Sequence, residues 1–248
     1  MSNGALLMIV RYCFWRVLVF LAVCVWLSAC TQRIEVPKAG IPARPEGFAS
    51  DFYEQAQAGK APVYKIVSED SLAIIRAFSG GKMAHLGHDH VIASRDIQGF
   101  VLWSEELRQR RADLYIAVNA LTVDEPELRA RYGMKSSPSD SDIEKTRHNM
   151  LNSSIESFRY PFIVISLTPV SPLASALVVA AKISLHGVTR TETVAVEPRV
   201  SPAALRFTGN FSIKQSDYGI QPFTALGGLL AVRDELDISF DVYARVVR

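Results

Sequence analysis

The chain of 248 residues is 49% hydrophobic and 21% charged, a composition typical of a globular protein rather than a disordered or fibrous one. Residues 1–29 contain Arg11 and Arg16 but no acidic residue, so without them the 27 basic residues fall to 25 and balance the 25 acidic ones. A chain without a basic surplus lacks the charge with which proteins bind a phosphate backbone, so nucleic acid is not an expected partner.

The first 29 residues have the pattern of a secretion signal. Arg11 and Arg16 precede an uncharged stretch of 14 residues, Val17 to Cys30, which is shorter than the ~20 residues that a membrane-spanning helix needs. The alternative is an uncleaved anchor beginning near Ala5, which would bury both arginines at a cost of ~2.5–3.5 kcal/mol each. We therefore predict that residues 1–29 are a cleaved signal peptide.

The segment Leu-Ser-Ala-Cys that ends at Cys30 resembles the lipobox of bacterial lipoproteins, in which the cysteine is acylated and becomes the new N-terminus. The resemblance implies that Cys30, carrying acyl chains such as palmitate, attaches the mature protein to a membrane. Thr31 follows the cysteine, and a residue other than aspartate there implies sorting to the outer membrane in Gram-negative lipoproteins. We expect a periplasm-facing lipoprotein of the cell envelope, at the outer membrane rather than the inner one. Cys13 and Cys24 would leave with the signal peptide, so the mature chain is expected to lack disulfides.

Residues 30–62 are rich in Pro, Ala, Gly and Gln, and four prolines interrupt any regular element. We predict that this segment is a flexible tether, followed by one domain over residues 63–248. A short helix from Ser50 to Gln57, with Ser50 as its N-cap, would be marginal alone.

From Tyr64 onward apolar and polar residues alternate, the period expected of strands with one buried face. The alternation is clearest from Leu205 to Lys214 and from Leu236 to Val246. Nine candidate strands follow from it: Tyr64–Val67, Leu72–Phe78, Gly99–Trp103, Leu114–Ala120, Phe162–Thr168, Ala176–Leu185, Thr191–Glu197, Leu205–Lys214 and Leu236–Val246.

Helical signals occur between Ala120 and Pro161. Ser141 and Glu144 form a capping box ahead of a helix from Ile143 to Leu151, and a second helix is predicted over Pro126–Tyr132, ended by Gly133. Strands dominate, and long antiparallel strands with alternating faces close readily into barrels, which leaves no exposed sheet edge. The fold class predicted is all-β: an eight-stranded antiparallel barrel with a short helical excursion.

Four ordered motifs resemble the YceI-like family of periplasmic lipid-binding proteins. They are His85-Leu86-Gly87; Phe158 with Tyr160-Pro161; Leu185-His186-Gly187-Val188-Thr189; and Phe211-x-Ile213-x-x-Ser216-Asp217-Tyr218-Gly219-Ile220. The chain departs from the family pattern at Gln215, where arginine is usual, at Glu192, where proline is common, and in the insertion of His88-Asp89-His90. The resemblance implies a lipocalin-like barrel that carries a polyisoprenoid or another long-chain amphiphile in its lumen.

A small hydrophobic ligand would contact the inward strand faces and two histidines. The candidates are Phe78, Phe100, Leu114, Ile116, Phe162, Val179, Ile183, Phe207, Phe211, Ile213, His148 and His186. The alternative for the apolar residues is a dry core, which apolar strand faces usually form. For His148 the alternative is an interaction with a helix C-terminus, and for His186 it is a hydrogen-bonded turn.

Three of the five histidines lie within six residues, at His85, His88 and His90. Residues i and i+2 of a strand share a face, so His88 and His90 could bind one zinc or copper ion with His85, His148 or His186 as third ligand. The competing hypothesis places these histidines at the barrel mouth, where they would hydrogen-bond the polar end of a ligand.

Enzymatic signatures are missing from the sequence. It contains no Gly-x-Ser-x-Gly or His-Glu-x-x-His motif, and Asp89 between two histidines is more typical of a solvated turn than of a general base. We predict a non-catalytic carrier or binding protein for a long-chain amphiphile, with no cofactor other than that ligand. The alternative is a periplasmic metal-binding or metal-cofactor-handling protein that uses the His85/His88/His90 loop.

Overall fold

A computed structural model describes residues 43–172 and 176–247. The predicted signal peptide, residues 1–29, and the predicted lipid anchor Cys30 lie outside the described residues. Within those ranges the chain forms twelve strands that pair antiparallel in one sheet. The strands are β1 Val63–Ile66, β2 Leu72–Gly80, β3 His90–Ser94, β4 Ile97–Leu102, β5 Arg111–Ala117, β6 Thr122–Val123, β7 Phe162–Pro172, β8 Leu177–Leu185, β9 Val188–Val200, β10 Ala204–Lys214, β11 Thr224–Ala225 and β12 Leu230–Val246.

The sheet closes into a barrel because β1 pairs both with β4 and with β12. The closed ring runs β1-β4-β5-β7-β8-β9-β10-β12 and therefore has eight strands. The predicted eight-stranded antiparallel barrel is confirmed.

Three of the eight wall strands are bent and divided into two pieces. The first of these wall strands consists of β1 and β2. Its neighbour, the 17-residue β12, pairs with β2 in its first part, where Asp241 is opposite Leu72, and with β1 in its last part, where Ala244 is opposite Ile66. In the same way β3 and β4 together form one wall strand, and so do β5 and β6, because β3 pairs with β2 and β6 whereas β4 pairs with β1 and β5. The predicted strands missed β3, β6 and β11.

The inward face of β10 carries Phe207, Gly209 and Phe211, because every second residue of a strand faces the same side. Phe211 pairs with Ile238 of β12, and Gly209 pairs with Phe240. A Cβ atom on Gly209 would lie 2.6 Å from Cζ of Phe240. Glycine at this position therefore leaves the space that the Phe240 ring occupies inside the barrel.

Helix α1, Ser50–Ala58, lies in the segment predicted as a tether and packs on the outer wall against β1 and β4. Tyr53 is 1% exposed, stacks on Phe100 with ring centroids 5.2 Å apart, and donates a hydrogen bond to Oδ2 of Asp113 at 2.7 Å. Burial raises the pKa of the Tyr53 phenol above its usual range. Tertiary packing thus stabilises a helix that is too short to be stable alone.

The helical excursion contains α2, Pro126–Arg131, and α3, Asp140–Asn149, followed by one π-helical turn, Met150–Ser154. The N-cap predicted for the helix over Ile143–Leu151 was wrong by two residues, because Ser139 and not Ser141 is the N-cap. Ser139 Oγ accepts a hydrogen bond from the backbone N–H of Asp142 at 3.3 Å, so Ser139-x-x-Asp142 forms the cap. In the part of the chain that is described, none of the helices has the length and apolar character needed to cross a membrane.

Candidate ligand-binding cavity

The barrel encloses a cavity of about 360 Å³, a volume within the range of roughly 300–1,000 Å³ that small-molecule sites have. All eight wall strands contribute inward side chains, and almost all of these are Ile, Leu, Val, Ala or Phe. The longest continuous part of the wall comes from β8, through Leu177, Val179, Ala181, Ile183 and Leu185. The interior is therefore suited to hydrocarbon rather than to a polar solute.

Seven of the predicted ligand contacts lie in this wall: Leu114, Ile116, Val179, Ile183, Phe207, Phe211 and Ile213. They surround a cavity rather than fill a solid core, because their alternation along β5, β8 and β10 puts each of them on the concave face of the barrel. Their contact with a ligand remains a prediction, but they face the cavity, as a residue that contacts a bound ligand must.

Three predicted aromatic contacts do not reach the cavity and instead lie on the outer face of the barrel: Phe78, Phe100 and Phe162. Their sequence neighbours Ala77, Val101 and Ile163 line the cavity, and adjacent residues of a strand point to opposite faces. Phe100 stacks on Tyr53 of α1, and Phe162 packs edge-on against Tyr115 with centroids 5.6 Å apart. The Phe100 ring thus attaches α1 to the outer face of the wall.

His148 and His186 are also outside the cavity lining, which corrects their prediction as ligand contacts. His186 is in the β8–β9 turn with φ of 53°, and its ring packs edge-on against Tyr160 at 4.8 Å. Nδ1 of His186 lies 3.2 Å from the carbonyl oxygen of Tyr218, so this histidine is a hydrogen-bonded turn residue. His148 is exposed near the end of α3, with Nδ1 3.1 Å from the side-chain amide of Asn152.

The polar residues of the lining lie at the two ends of the cavity. Near α3 they are His90, Thr146, Asn149, Ser154 and Gln215. At the far end of the β3–β4 wall strand the polar residue is Arg110, whose guanidinium lies 4.0 Å from the ring centroid of Trp103; the Arg111 guanidinium instead bonds Asp113 on the outer face. A ligand with one polar end can therefore place that end among polar groups while its tail lies in the apolar middle.

His90 is held by a buried hydrogen-bond network that sequence reasoning did not identify. Its Nδ1 lies 2.6 Å from Oδ2 of Asp124, whose side chain is fully buried. The other carboxylate oxygen, Oδ1, accepts hydrogen bonds from the backbone N–H of Val91 at 3.0 Å and from the Arg129 guanidinium at 2.6 Å. Arg129 also donates to the carbonyl oxygen of Ser136 at 2.6 Å, so the whole group is hydrogen-bonded on several sides.

Two opposing effects act on the Asp124 carboxyl. Burial would raise its pKa, but the hydrogen bonds from His90, the Val91 N–H and Arg129 outweigh burial, and the pKa of Asp124 is lower than usual. An ionised carboxylate only accepts hydrogen bonds, so Nδ1 of His90 carries the shared proton. His90 and Asp124 are 34 positions apart in the sequence and no motif links them, so only the fold brings them together.

The metal hypothesis requires three histidines that face one point, and the structure separates them. His85 is exposed on a one-turn helix, His88 is exposed in the following loop, and His90 points into the barrel with Nδ1 occupied by Asp124. Over residues 43–172 and 176–247, three or more His, Cys, Asp or Glu side chains are nowhere grouped as a metal ion would need. The arrangement does not support the metal alternative.

A closed eight-stranded antiparallel barrel with an apolar cavity defines a lipocalin-like ligand-binding barrel as the class of protein. Residues 82–244 match the YceI-like domain, and this chain belongs to that family. The predicted family is therefore confirmed. None of the curated proteins matches the chain.

Several solved structures are similar to this chain. BcnA of Burkholderia cenocepacia is 16% identical with a TM-score of 0.51, and the match covers 72% of this chain and 98% of BcnA. A polyisoprenoid-binding domain from Saccharophagus degradans is 15% identical with a TM-score of 0.48, covering 74% and 98%. A YceI protein of Campylobacter jejuni is 12% identical with a TM-score of 0.45, covering 62% and 82%. The likeness to BcnA establishes a shared fold.

Proposed function

We propose that this protein is a non-catalytic carrier that binds a long-chain amphiphile, a polyisoprenoid or a fatty lipid, inside its barrel. The observation that carries the proposal is the cavity of about 360 Å³ with an apolar wall and polar ends. Such a shape suits a ligand with a long hydrocarbon tail and one polar head group.

The energetics favour a long tail over a short one. Burying hydrocarbon contributes ~0.8 kcal/mol per CH₂, so ten carbons gain roughly 8 kcal/mol, whereas association costs roughly 4–15 kcal/mol. A ten-carbon tail thus leaves little net affinity. A tail of about twenty carbons gains roughly 16 kcal/mol, which is enough for micromolar binding or better at the lower costs.

The lining chemistry supports binding rather than catalysis. Of the described residues that line the cavity, His90 alone has a side chain of the type that serves as a general base, because the Arg110 guanidinium is permanently charged. Hydrolytic or transfer chemistry generally needs a nucleophile beside such a base. The lining offers only the hydroxyls of Thr146 and Ser154 as candidates, and neither forms a hydrogen bond with His90.

The location we propose is the periplasmic face of the outer membrane, with Cys30 acylated and the barrel held close to the bilayer. The support is the lipobox-like segment ending at Cys30 and the uncharged stretch before it. A carrier kept at a membrane surface remains near the source of an insoluble ligand.

The test is native mass spectrometry of the mature protein purified from its own envelope, with extraction of any bound material. We expect an added mass that organic solvent removes and that corresponds to an isoprenoid or fatty amphiphile, on the order of C30–C50 from the length of the barrel. Stripped protein should take up a C40 isoprenoid. A protein that neither co-purifies with nor takes up any such amphiphile would contradict the proposal, and stoichiometric zinc or copper in elemental analysis would restore the metal alternative.

A further inference from the structure

The His90 imidazole has one nitrogen in a buried hydrogen bond and the other available to the cavity. His90 is paired with Ala77 of β2 in the sheet, and both residues line the cavity. Nδ1 is bound to Asp124, and in the described part of the chain no residue forms a hydrogen bond with Nε2. The α3 end of the cavity thus contains an imidazole whose orientation is set by its hydrogen bond to Asp124.

The Asp124–Arg129 pair determines which hydrogen-bonding role remains to Nε2. Asp124 is a carboxylate and accepts from Nδ1–H, so in the neutral imidazole Nε2 carries the lone pair. Arg129 already neutralises Asp124 through the contact of 2.6 Å between its guanidinium and Oδ1. Nε2 of the neutral imidazole therefore acts as an acceptor.

We propose that His90 is the head-group site of the cavity, where Nε2 accepts a hydrogen bond from a ligand bearing a hydroxyl or N–H donor, such as a long-chain alcohol or primary amide. The inference rests on the proposed carrier function and names the class of ligand. A head group that can only accept, such as an ether or ester, leaves Nε2 desolvated and without a partner, and buried polar groups in that state are costly. Asp124 and Arg129 are positioning residues, since they act through His90.

The first test compares two ligands that differ only in the donor: a C20 primary alcohol and its methyl ether, each binding to stripped protein in a displacement assay. The wild type should bind the alcohol about threefold to tenfold more tightly, the effect of one net hydrogen bond. His90→Leu should bind both ligands alike, with the ether bound more tightly than by the wild type, because no unpaired nitrogen is then buried beside it. The matched control is His85→Leu, because His85 is exposed and outside the cavity lining, and it should keep the preference.

The second test reverses the role of Nε2. In Asp124→Asn the amide oxygen can still accept from the Val91 N–H, while the amide N–H₂ donates to Nδ1 of His90 and moves the ring proton to Nε2. The variant should then bind the ether at least as tightly as the alcohol. Loss of a merely structural contact would weaken both ligands equally, so this reversal distinguishes positioning from stability; thermal melting shows whether the variant is folded.

The outcomes separate this inference from the function on which it rests. Equal affinity of the wild-type protein for alcohol and ether, or a preference unchanged in His90→Leu, would overturn the head-group site and leave the carrier function standing. Binding of neither ligand by the wild type would instead contradict the carrier function itself.

Discussion

Phe211→Asp distinguishes a wall that faces a ligand from a packed core. The Phe211 ring lines the cavity and lies edge-on to Phe240, with centroids 6.4 Å apart. The variant places a carboxylate at the middle of the apolar wall, on the strand face opposite that of Asn210.

The loss of folding stability caused by Phe211→Asp depends on whether the side chain faces a packed core or a hollow cavity. In a dry core, loss of the ring costs ~3–5 kcal/mol and an unpaired carboxylate costs several more, which together approach the ~5–15 kcal/mol that stabilises a whole domain. Beside a hollow cavity the carboxylate stays hydrated in the unliganded protein. The cost then falls to the aromatic contact, ~0.5–1.5 kcal/mol, and part of the ~1.5–3 kcal/mol from burying the ring.

We therefore expect stripped Phe211→Asp to fold, with a Tm lowered by roughly 4–16 °C, the shift for a loss of ~2–4 kcal/mol in a domain of this size. A C40 isoprenoid would have to desolvate the carboxylate, so its affinity should fall by about 100-fold or more. Melting is followed by circular dichroism, and retention by native mass spectrometry of the same samples. Asn210→Asp is the control, because it adds the same charge at the adjacent, exposed position and should retain the lipid.

Two results would refute this reasoning. An unfolded Phe211→Asp together with a folded Phe211→Leu would mean that the position is packed on all sides. A folded Phe211→Asp that retains the isoprenoid as well as Asn210→Asp does would mean that the tail does not pass this part of the wall.

Three further predictions concern the anchor, the buried carboxylate and the inward glycine. Cys30→Ser should remove the acyl mass and either block processing or release a soluble form, and wild-type protein without lipid on residue 30 would disprove the anchor. The pKa of Asp124 is lower in the folded protein than its usual value, so Asp124 stabilises the fold above about pH 4 and this contribution is lost as pH falls through the lowered pKa. Asp124→Asn should therefore be less stable at pH 7 and show a flatter decline of stability between pH 4 and 2 in urea titrations; parallel curves would contradict this role. Gly209→Ala should lose ~1–3 kcal/mol in the same assay because of the 2.6 Å approach to Phe240, whereas Gly59→Ala, whose nearest neighbour would be 3.4 Å away, should change little, and equal stability of the two would refute the packing argument.

The strands that alternation identified are those with one apolar face. On β10 and β12 the inward residues are apolar and the outward ones polar, so a period of two is visible in the sequence. β3 was missed because its residues are buried on both faces: Ile92 lines the cavity, while Val91 and Ala93 pack with Leu128 of α2. A short, continuously apolar run does not show the alternation that marks a strand.

The prediction of the cavity lining was wrong for Phe78, Phe100 and Phe162, whose immediate sequence neighbours line the cavity instead. Phe100 is as large and apolar as Phe211, but its ring stacks on Tyr53 of α1 outside the barrel. Because Val101 of the same strand lines the cavity, both faces of β4 are apolar. The pattern of one strand does not tell which of two apolar faces is concave. That information comes from closure of the barrel, which depends on pairings distant in sequence, such as Tyr64 with Val246.

The bends in the first three wall strands explain why the cavity has a polar end with a set geometry. After β5 the chain leaves β7 and pairs instead with β3, where Val123 lies opposite Ile92, and this register brings the next residue, Asp124, to His90. Before the chain returns to the wall at β7, α3 is anchored by Arg147, whose guanidinium donates to the carbonyl oxygens of two residues between β5 and β6, at 3.1 and 2.6 Å.

An unbroken β5 would have continued the apolar wall and left neither a carboxylate nor a helix at this end of the barrel. The apolar wall alone can supply affinity, but it does not distinguish one hydrocarbon tail from another or set the direction in which a tail enters. Selectivity for the head group and the orientation of the bound ligand must then come from the groups that the bends bring to the α3 end, and among these His90 has both a buried partner and a face on the cavity.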